Sequence, residues 1–146
     1  MPPSQAIAAY GTLLKRGDGG APETFSTVAE VRSISGPSLE VDETEVTSHS
    51  PGGAAPSSAF REFIATLIDS GEVEFELAYV PGNAQHIGIR QDCVARTTRN
   101  WQIVLPGNIQ TISFAGFVKS LPFEFPTDDV MMQKVTIRVT GAPTFA

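Results

Sequence analysis

Two hydrophobic periods follow one another between Gly36 and Pro81, and the rest of the chain can be read from them. Phe60, Phe63, Ile64, Leu67 and Ile68 fall at i, i+3, i+4, i+7 and i+8, the spacing that gathers apolar side chains into one stripe of a helix. Arg61, Glu62, Thr66 and Asp69 take the opposite face. Ser57 or Ser58 can cap the first turn, and Gly71 stands where a helix commonly ends in a left-handed residue. The pattern predicts a short core helix docked on a sheet. From Glu72 to Tyr79 the period changes to two: Val73, Phe75, Leu77 and Tyr79 share one face, and Glu72, Glu74 and Glu76 share the other. That predicts a strand with one core face and one wet face.

The same reading extends to both ends. Tyr10–Arg16 is a first strand closed by the turn-forming run 17–22, a hairpin-like start. Phe25–Ser35 alternates loosely, and Gly36-Pro37 makes a corner before Ser38–Asp42 resumes an extended pattern. Ala84–Arg96 reads as a short helix, with Ile87 and Val94 one heptad apart and Gly88 as its weak point. Trp101–Leu105 is a strand stopped by Pro106-Gly107-Asn108. Ile112–Leu121 is apolar on both parities, as a strand covered on two sides would be, and Gly116 within it marks a bulge or a close approach. The last strand covers about 130–140, with Val135, Ile137 and Val139 opposite Lys134, Thr136 and Arg138, followed by a tail at 141–146.

Two stretches carry no core pattern. Residues 1–9 are small and polar and are expected to be a mobile arm. Residues 43–59 are rich in Thr, Ser, Gly, Pro and Ala, and loops longer than about 12 residues are uncommon in compact domains unless functional or disordered. This long inter-strand loop is expected to order against a partner, with Thr47, Ser48, His49, Ser50, Pro51, Gly52 and Gly53 as its contact residues.

Composition narrows the class. A chain of 146 residues fits one domain, and 13 glycines, 11 prolines and 18% charged residues suit a turn-rich β protein better than a helical bundle. The fold class is β-rich α+β. A net charge of −6 with only ten scattered Lys and Arg residues argues against a binder that neutralises nucleic-acid phosphates. Cys93 stands alone, so no intramolecular disulfide is expected. The N-terminus lacks the apolar run of a secretory signal, and no 18-residue apolar stretch spans a membrane, so a cytosol-like compartment is expected.

The reactive residues form no constellation. His49, His86 and Cys93 are not at metal-ligand spacing, and the ordinary alternatives are hydrogen-bonding histidines and a small buried thiol. Ser48-His49-Ser50 lies in a loop without the rigidity a catalytic base requires. Asp128-Asp129 and Asp42-Glu43 fit no metal loop. No catalytic, cofactor or metal site is therefore expected. The acidic groups are more informative: Glu72, Glu74 and Glu76 in one row, and Glu40, Asp42, Glu43 and Glu45 in another. Each is either a solvated strand face or an acidic wall turned to a passage or a partner.

The order GPSLEVDETEVTSH, SSAFREFIATLIDSGEVEFELAYVPG, WQIVLP and ISFAGFVKSLPFEFPTDDVMMQKVTIRVTGAPTF resembles the major tail tube proteins of long non-contractile-tailed, lambda-like phages, from about Tyr10 to Phe145. The resemblance implies a β-sandwich or barrel-like fold with one flanking helix. It also implies hexameric rings stacked into a virion tail tube that is assembled in the host cytoplasm and through which DNA passes without specific binding. Tape measure, tail tip and terminator proteins are the implied partners, with no enzyme activity, cofactor, metal or membrane. Some relatives carry an additional immunoglobulin-like domain, and this chain stops after its last strand, so no surface-decoration role is expected. The competing reading from the residues alone is a monomeric β-sandwich that binds a ligand or peptide through the 43–59 loop.

Overall fold

Ten strands and one α-helix make up the computed structural model, which describes residues 3–46 and 60–146. In chain order they are β1 (Leu13–Gly17), β2 (Phe25–Thr27), β3 (Val31–Ser35), β4 (Glu40–Glu45), β5 (Phe63–Asp69), β6 (Glu72–Ala78), α1 (Ala84–Ala95), β7 (Thr98–Val104), β8 (Thr111–Ser120), β9 (Phe123–Glu124) and β10 (Met132–Phe145). Two compact units result, one of residues 1–38 and 70–146 and one of residues 39–69.

The larger unit is an eight-stranded antiparallel sheet in the order β2-β1-β7-β8-β10-β6-β3, with β9 on β10. Its terminal strands β2 and β3 are joined by Val28–Glu30 alone. Extended chain covers roughly 3.3–3.6 Å per residue, so the two ends of the strand order are brought within about 14 Å of each other and the sheet must curl round on itself. Inside the curl, alternate residues of each strand meet: Val73, Phe75 and Leu77 from β6, Val135, Ile137 and Val139 from β10, Trp101 and Ile103 from β7, and Phe114 and Val118 from β8. The period-two reading of Glu72–Tyr79 and of β10 is thereby borne out. β10 runs on through Phe145, with Thr144 opposite Ser113 and Phe145 opposite Ile112, so residues 141–145 expected as a tail belong to the sheet.

β8 departs from its sequence pattern. Phe114, Gly116 and Val118 are buried, but Phe117 on the other face is 39% exposed, so only one side is covered in the subunit. A Cβ on Gly116 would stand 2.6 Å from Cγ2 of Ile137 and 2.7 Å from the Arg138 carbonyl, beside the register shift between Thr136 and Ile137. Here glycine permits the close approach of β8 and β10.

α1 is where the 84–96 reading placed a helix. Asn83 caps it, its Oδ1 accepting from the backbone N–H groups of Gln85 and His86, and Arg96 closes it in a left-handed conformation at φ 58°. The helix is held by polar groups as much as by Ile89. Asp92, 3% exposed, accepts from Nε of Arg16 on β1 at 2.7 Å and from Nε of Arg99 on β7 at 3.1 Å. His86 is fully buried, with Nε2 2.8 Å from the Ala29 carbonyl and Nδ1 accepting from the Val80 N–H at 3.1 Å. Those two partners fix the neutral tautomer with its proton on Nε2.

The predicted core helix at Phe60, Phe63, Ile64, Leu67 and Ile68 is absent. Residues 63–69 are strand β5, paired antiparallel to β4 with Glu40 opposite Asp69, Thr44 opposite Ile64 and Glu45 opposite Phe63. A short apolar run satisfies both periods, and here β-branched Ile64, Thr66 and Ile68 sit on one parity, which favours the extended chain. The fold keeps one flanking helix, but it is α1. β4 also extends to Glu45, three residues into the stretch read as loop.

Candidate assembly surface

The 39–69 unit inverts the usual placing of apolar groups. Every residue of β4 and β5 is exposed. Phe60 is 83% exposed, Phe63 49%, Ile64 51%, Leu67 74% and Ile68 67%. Residues expected in the core are thus on the surface of the subunit.

Register sorts this hairpin into two different faces, because directly opposed residues project to the same side. Val41, Glu43 and Glu45 share one face with their partners Ile68, Ala65 and Phe63. Glu40, Asp42 and Thr44 share the other face, with Thr44 opposite Ile64 and Glu40 opposite Asp69, so carboxylates stand on both faces of the ribbon. Between the Val41–Ile68 and Glu43–Ala65 pairs, β4 has one residue, Asp42, and β5 has two, Thr66 and Leu67, so the extra residue is a bulge in β5 and β4 keeps its alternation. Thr66 Oγ1 donates to the Asp42 carbonyl across the strands at 3.1 Å. Arg61 approaches Glu45 at 4.0 Å, with both side chains largely in solvent.

Charge divides as unevenly as apolar surface. Residues 39–69 hold six carboxylates and one cation, Arg61, for a net −5, which leaves −1 on the remainder of the −6 chain. The other acidic row, Glu72, Glu74 and Glu76, lies on the outer face of β6 and is interleaved with cations. Lys119 Nζ pairs with Glu72, Lys134 Nζ lies 3.8 Å from Glu74, and in register Arg138 and Lys134 stand opposite Glu72 and Glu76. Of the two acidic groups, only the hairpin carries a strong net field.

Thr47, Ser48, His49, Ser50, Pro51, Gly52 and Gly53, and the capping Ser57 and Ser58, lie outside the described residues. His86 is a satisfied core histidine, and Cys93 is half-buried against the core. Among the described residues no group of three His, Cys, Asp or Glu side chains could hold a metal ion, and no helix is long and apolar enough to cross a membrane. What the sequence did not reveal is the outer face of α1. Arg90, Gln91 and Val94 are exposed there, Val94 at 79%, while Asp92, the helix's one acid, is buried on the other side.

Comparisons with known proteins agree with this architecture. A family model described as lambda phage tail tube protein matches residues 14–146. No curated protein sequence matches the chain. Among solved structures, the chain is similar to one from the tail of an empty gene transfer agent particle refined with C6 symmetry, at 16% identity over 97% of this chain and 99% of that one, with a TM-score of 0.75. It is also similar to a chain of the PVC sheath/tube terminator of an extracellular contractile injection system in its extended state, at 15% identity, 98% of each chain and TM-score 0.69. A third is the SPP1 tail tube, at 8% identity, 96% of this chain, 78% of that chain and TM-score 0.66. At these identities the likeness is one of fold.

Proposed function

The chain belongs to the lambda phage tail tube protein family, and from that premise we propose that its copies polymerise through the β4–β5 hairpin into stacked hexameric rings, forming the conduit through which DNA leaves a virion. The observation that carries this is the hairpin: an isolated two-stranded ribbon is marginal in water, and one with five large apolar side chains exposed is stabilised by burial against another surface. Sixfold rings are supported by the C6 symmetry of the gene transfer agent tail, whose chain has the same fold. The terminator context of the contractile-system relative supports capping of the tube by another tail protein. Tape measure and tail tip proteins are proposed as partners on family grounds alone, as are the contacts of residues 47–53.

Within the tube, the outer face of β6 is proposed to line the conduit. Glu72, Glu74 and Glu76 with Lys119 and Lys134 make a mixed-charge wall, on which phosphates find no run of unopposed cations to hold them. The hairpin carboxylates Glu40, Asp42, Glu43 and Glu45 are assigned to the subunit contact instead. Sedimentation and electron microscopy of the purified protein at rising concentration provide the test. Tubes of stacked sixfold rings are expected, and a protein that stays monomeric throughout the series overturns the proposal.

A further inference from the structure

We infer that the row Tyr79, Phe123 and Phe125, bordered by Arg90 of α1, is the seat for the β4–β5 hairpin of a second copy, received on the hairpin face that carries Val41, Phe63 and Ile68. This rests on the tube reading and names both halves of the contact.

The core face of the large sheet runs past its own cover at this end. Tyr79 continues the Val73-Phe75-Leu77 row of β6, and Phe123 stands opposite Gln133 of β10, which in turn stands opposite Leu77, so both rings lie on the core side. Tyr79 stacks on the buried His86 of α1 at 6.2 Å and meets Phe123 edge-on at 5.1 Å, and Phe125, two residues further, stacks on Phe123 at 5.9 Å. Exposure rises along the row, from 0% at Leu77 to 38% at Phe123 and 64% at Phe125. Rings that continue a core and end in water mark a contact surface. Arg90 borders them, giving one N–H to the Tyr79 hydroxyl at 3.2 Å. Among the described residues it makes no ion pair with a carboxylate, so other donors of its guanidinium fork are open to one from outside.

The hairpin supplies the complement. Its Val41 face groups Phe63, Ala65 and Ile68 with two carboxylates, Glu43 and Glu45, whereas the face of Glu40, Asp42 and Asp69 carries three. The two glutamates lie together, opposite Ala65 and Phe63, so Arg90 takes that end of the hairpin while Val41 and Ile68 lie over the phenyl rings. The strand from Val41 to Glu45 spans about 14 Å at roughly 3.4 Å per residue, and the row's ring-to-ring steps of 5.1 and 5.9 Å, with Arg90 beyond them, cover a similar length. A hairpin of one copy seated on the core end of the next is a heterologous contact, which closes rings or grows filaments instead of stopping at a dimer. One arginine is too little for phosphate-driven binding of nucleic acid, and the paired glutamates are the better match for it.

Truncation and charge reversal test the seat. In the full chain, Phe125→Ser removes its most exposed ring, Arg90→Glu reverses its charge, and Glu43→Lys/Glu45→Lys reverses the hairpin. All four side chains are exposed, so circular dichroism melts of these variants are expected to match the wild type. Each variant should need a protein concentration on the order of tenfold higher or more to polymerise at low salt. A chain that carries Arg90→Glu, Glu43→Lys and Glu45→Lys together should polymerise near the wild-type concentration, since the opposed charges are exchanged, and adding Phe125→Ser to it should remove that recovery. The docking is overturned if Phe125→Ser or Arg90→Glu polymerises like the wild type, which leaves the row to a different partner, or if the combined reversal stays as defective as its parts while the wild type forms tubes. A wild type that forms no polymer overturns the tube reading and the docking with it.

Discussion

The eight-stranded unit and the β4–β5 hairpin are built from similar residues and treat them in opposite ways. In the first, Leu77 is fully buried between β10 and β3; in the second, Leu67 is 74% exposed on a strand with a free face on each side. The first buries a carboxylate, Asp92, between two arginines, and the second leaves Glu45 and Arg61 in water. A region that completes its own packing is stable alone, while a region that leaves its apolar and ionic groups open depends on a neighbour. The sequence of each strand does not announce which case applies.

The contrast can be broken most forcefully at its charges. Asp92→Ala strands two guanidiniums, Arg16 at 12% exposure, and is expected to cost about 3–5 kcal/mol of unfolding free energy. Breaking the exposed pair with Arg61→Ala is expected to cost about 0–1 kcal/mol. Equal losses in denaturant titrations would remove the distinction. Next come the two leucines. Leu77→Ala should lower stability by about 2–5 kcal/mol, whereas Leu67→Ala should stay within about 0.5 kcal/mol and impair polymerisation instead.

A smaller effect of opposite sign is expected at Gln133. It is fully buried on the core face of β10, and among the described residues neither its amide nitrogen nor its oxygen has a hydrogen-bond partner. Gln133→Met, close in shape and without the polar atoms, should raise stability by about 1–3 kcal/mol in the same titrations. An unchanged midpoint would mean that the amide is satisfied in solution.

The smallest effect is electrostatic and local. Asp18 Oδ1 accepts from the backbone N–H groups of Gly20 at 2.8 Å and Thr24 at 3.1 Å, and these bonds hold its carboxyl below the usual aspartate range. A carboxyl with a lowered folded-state pKa adds stability that is fully present above the ordinary aspartate value and is lost as pH falls through the lowered one. Acid titration of stability should therefore be slightly shallower in Asp18→Asn than in the wild type, and NMR should show the Asp18 carboxyl titrating below the ordinary aspartate range.

Most of the larger unit is legible in the sequence because its strands have a single covered face. Val73-Phe75-Leu77 and Val135-Ile137-Val139 show the core through period two, and Asn83 and the 84–96 pattern place α1. Gly88, a flaw in that helix by propensity, is where Arg16 passes: a Cβ there would stand 2.8 Å from Nη1 of the guanidinium. The hairpin reads wrongly as helix for an equally physical reason. Apolar residues at 60, 63, 64, 67 and 68 signal burial, and a single chain offers no sign that the burial lies on another molecule. Helix is the assignment that gives the stripe something to cover within the subunit. The outer face of α1 escapes a reading of the sequence because Arg90 and Val94, one turn apart, mean nothing until Asp92 is seen to be buried on the other side.

The curl of the large sheet has a seam. β2 and β3 each hydrogen-bond to a strand on one side only, although Val28–Glu30 ties them together along the chain. Within the eight-stranded sheet, amide hydrogens of these two short strands should exchange with solvent sooner than those of β10, since β10 is bonded to β6, β8 and β9. A subunit strained in a bending or stretched tube would therefore open along this line like a cuff, with its core strands still paired and its shape recoverable once the load is removed.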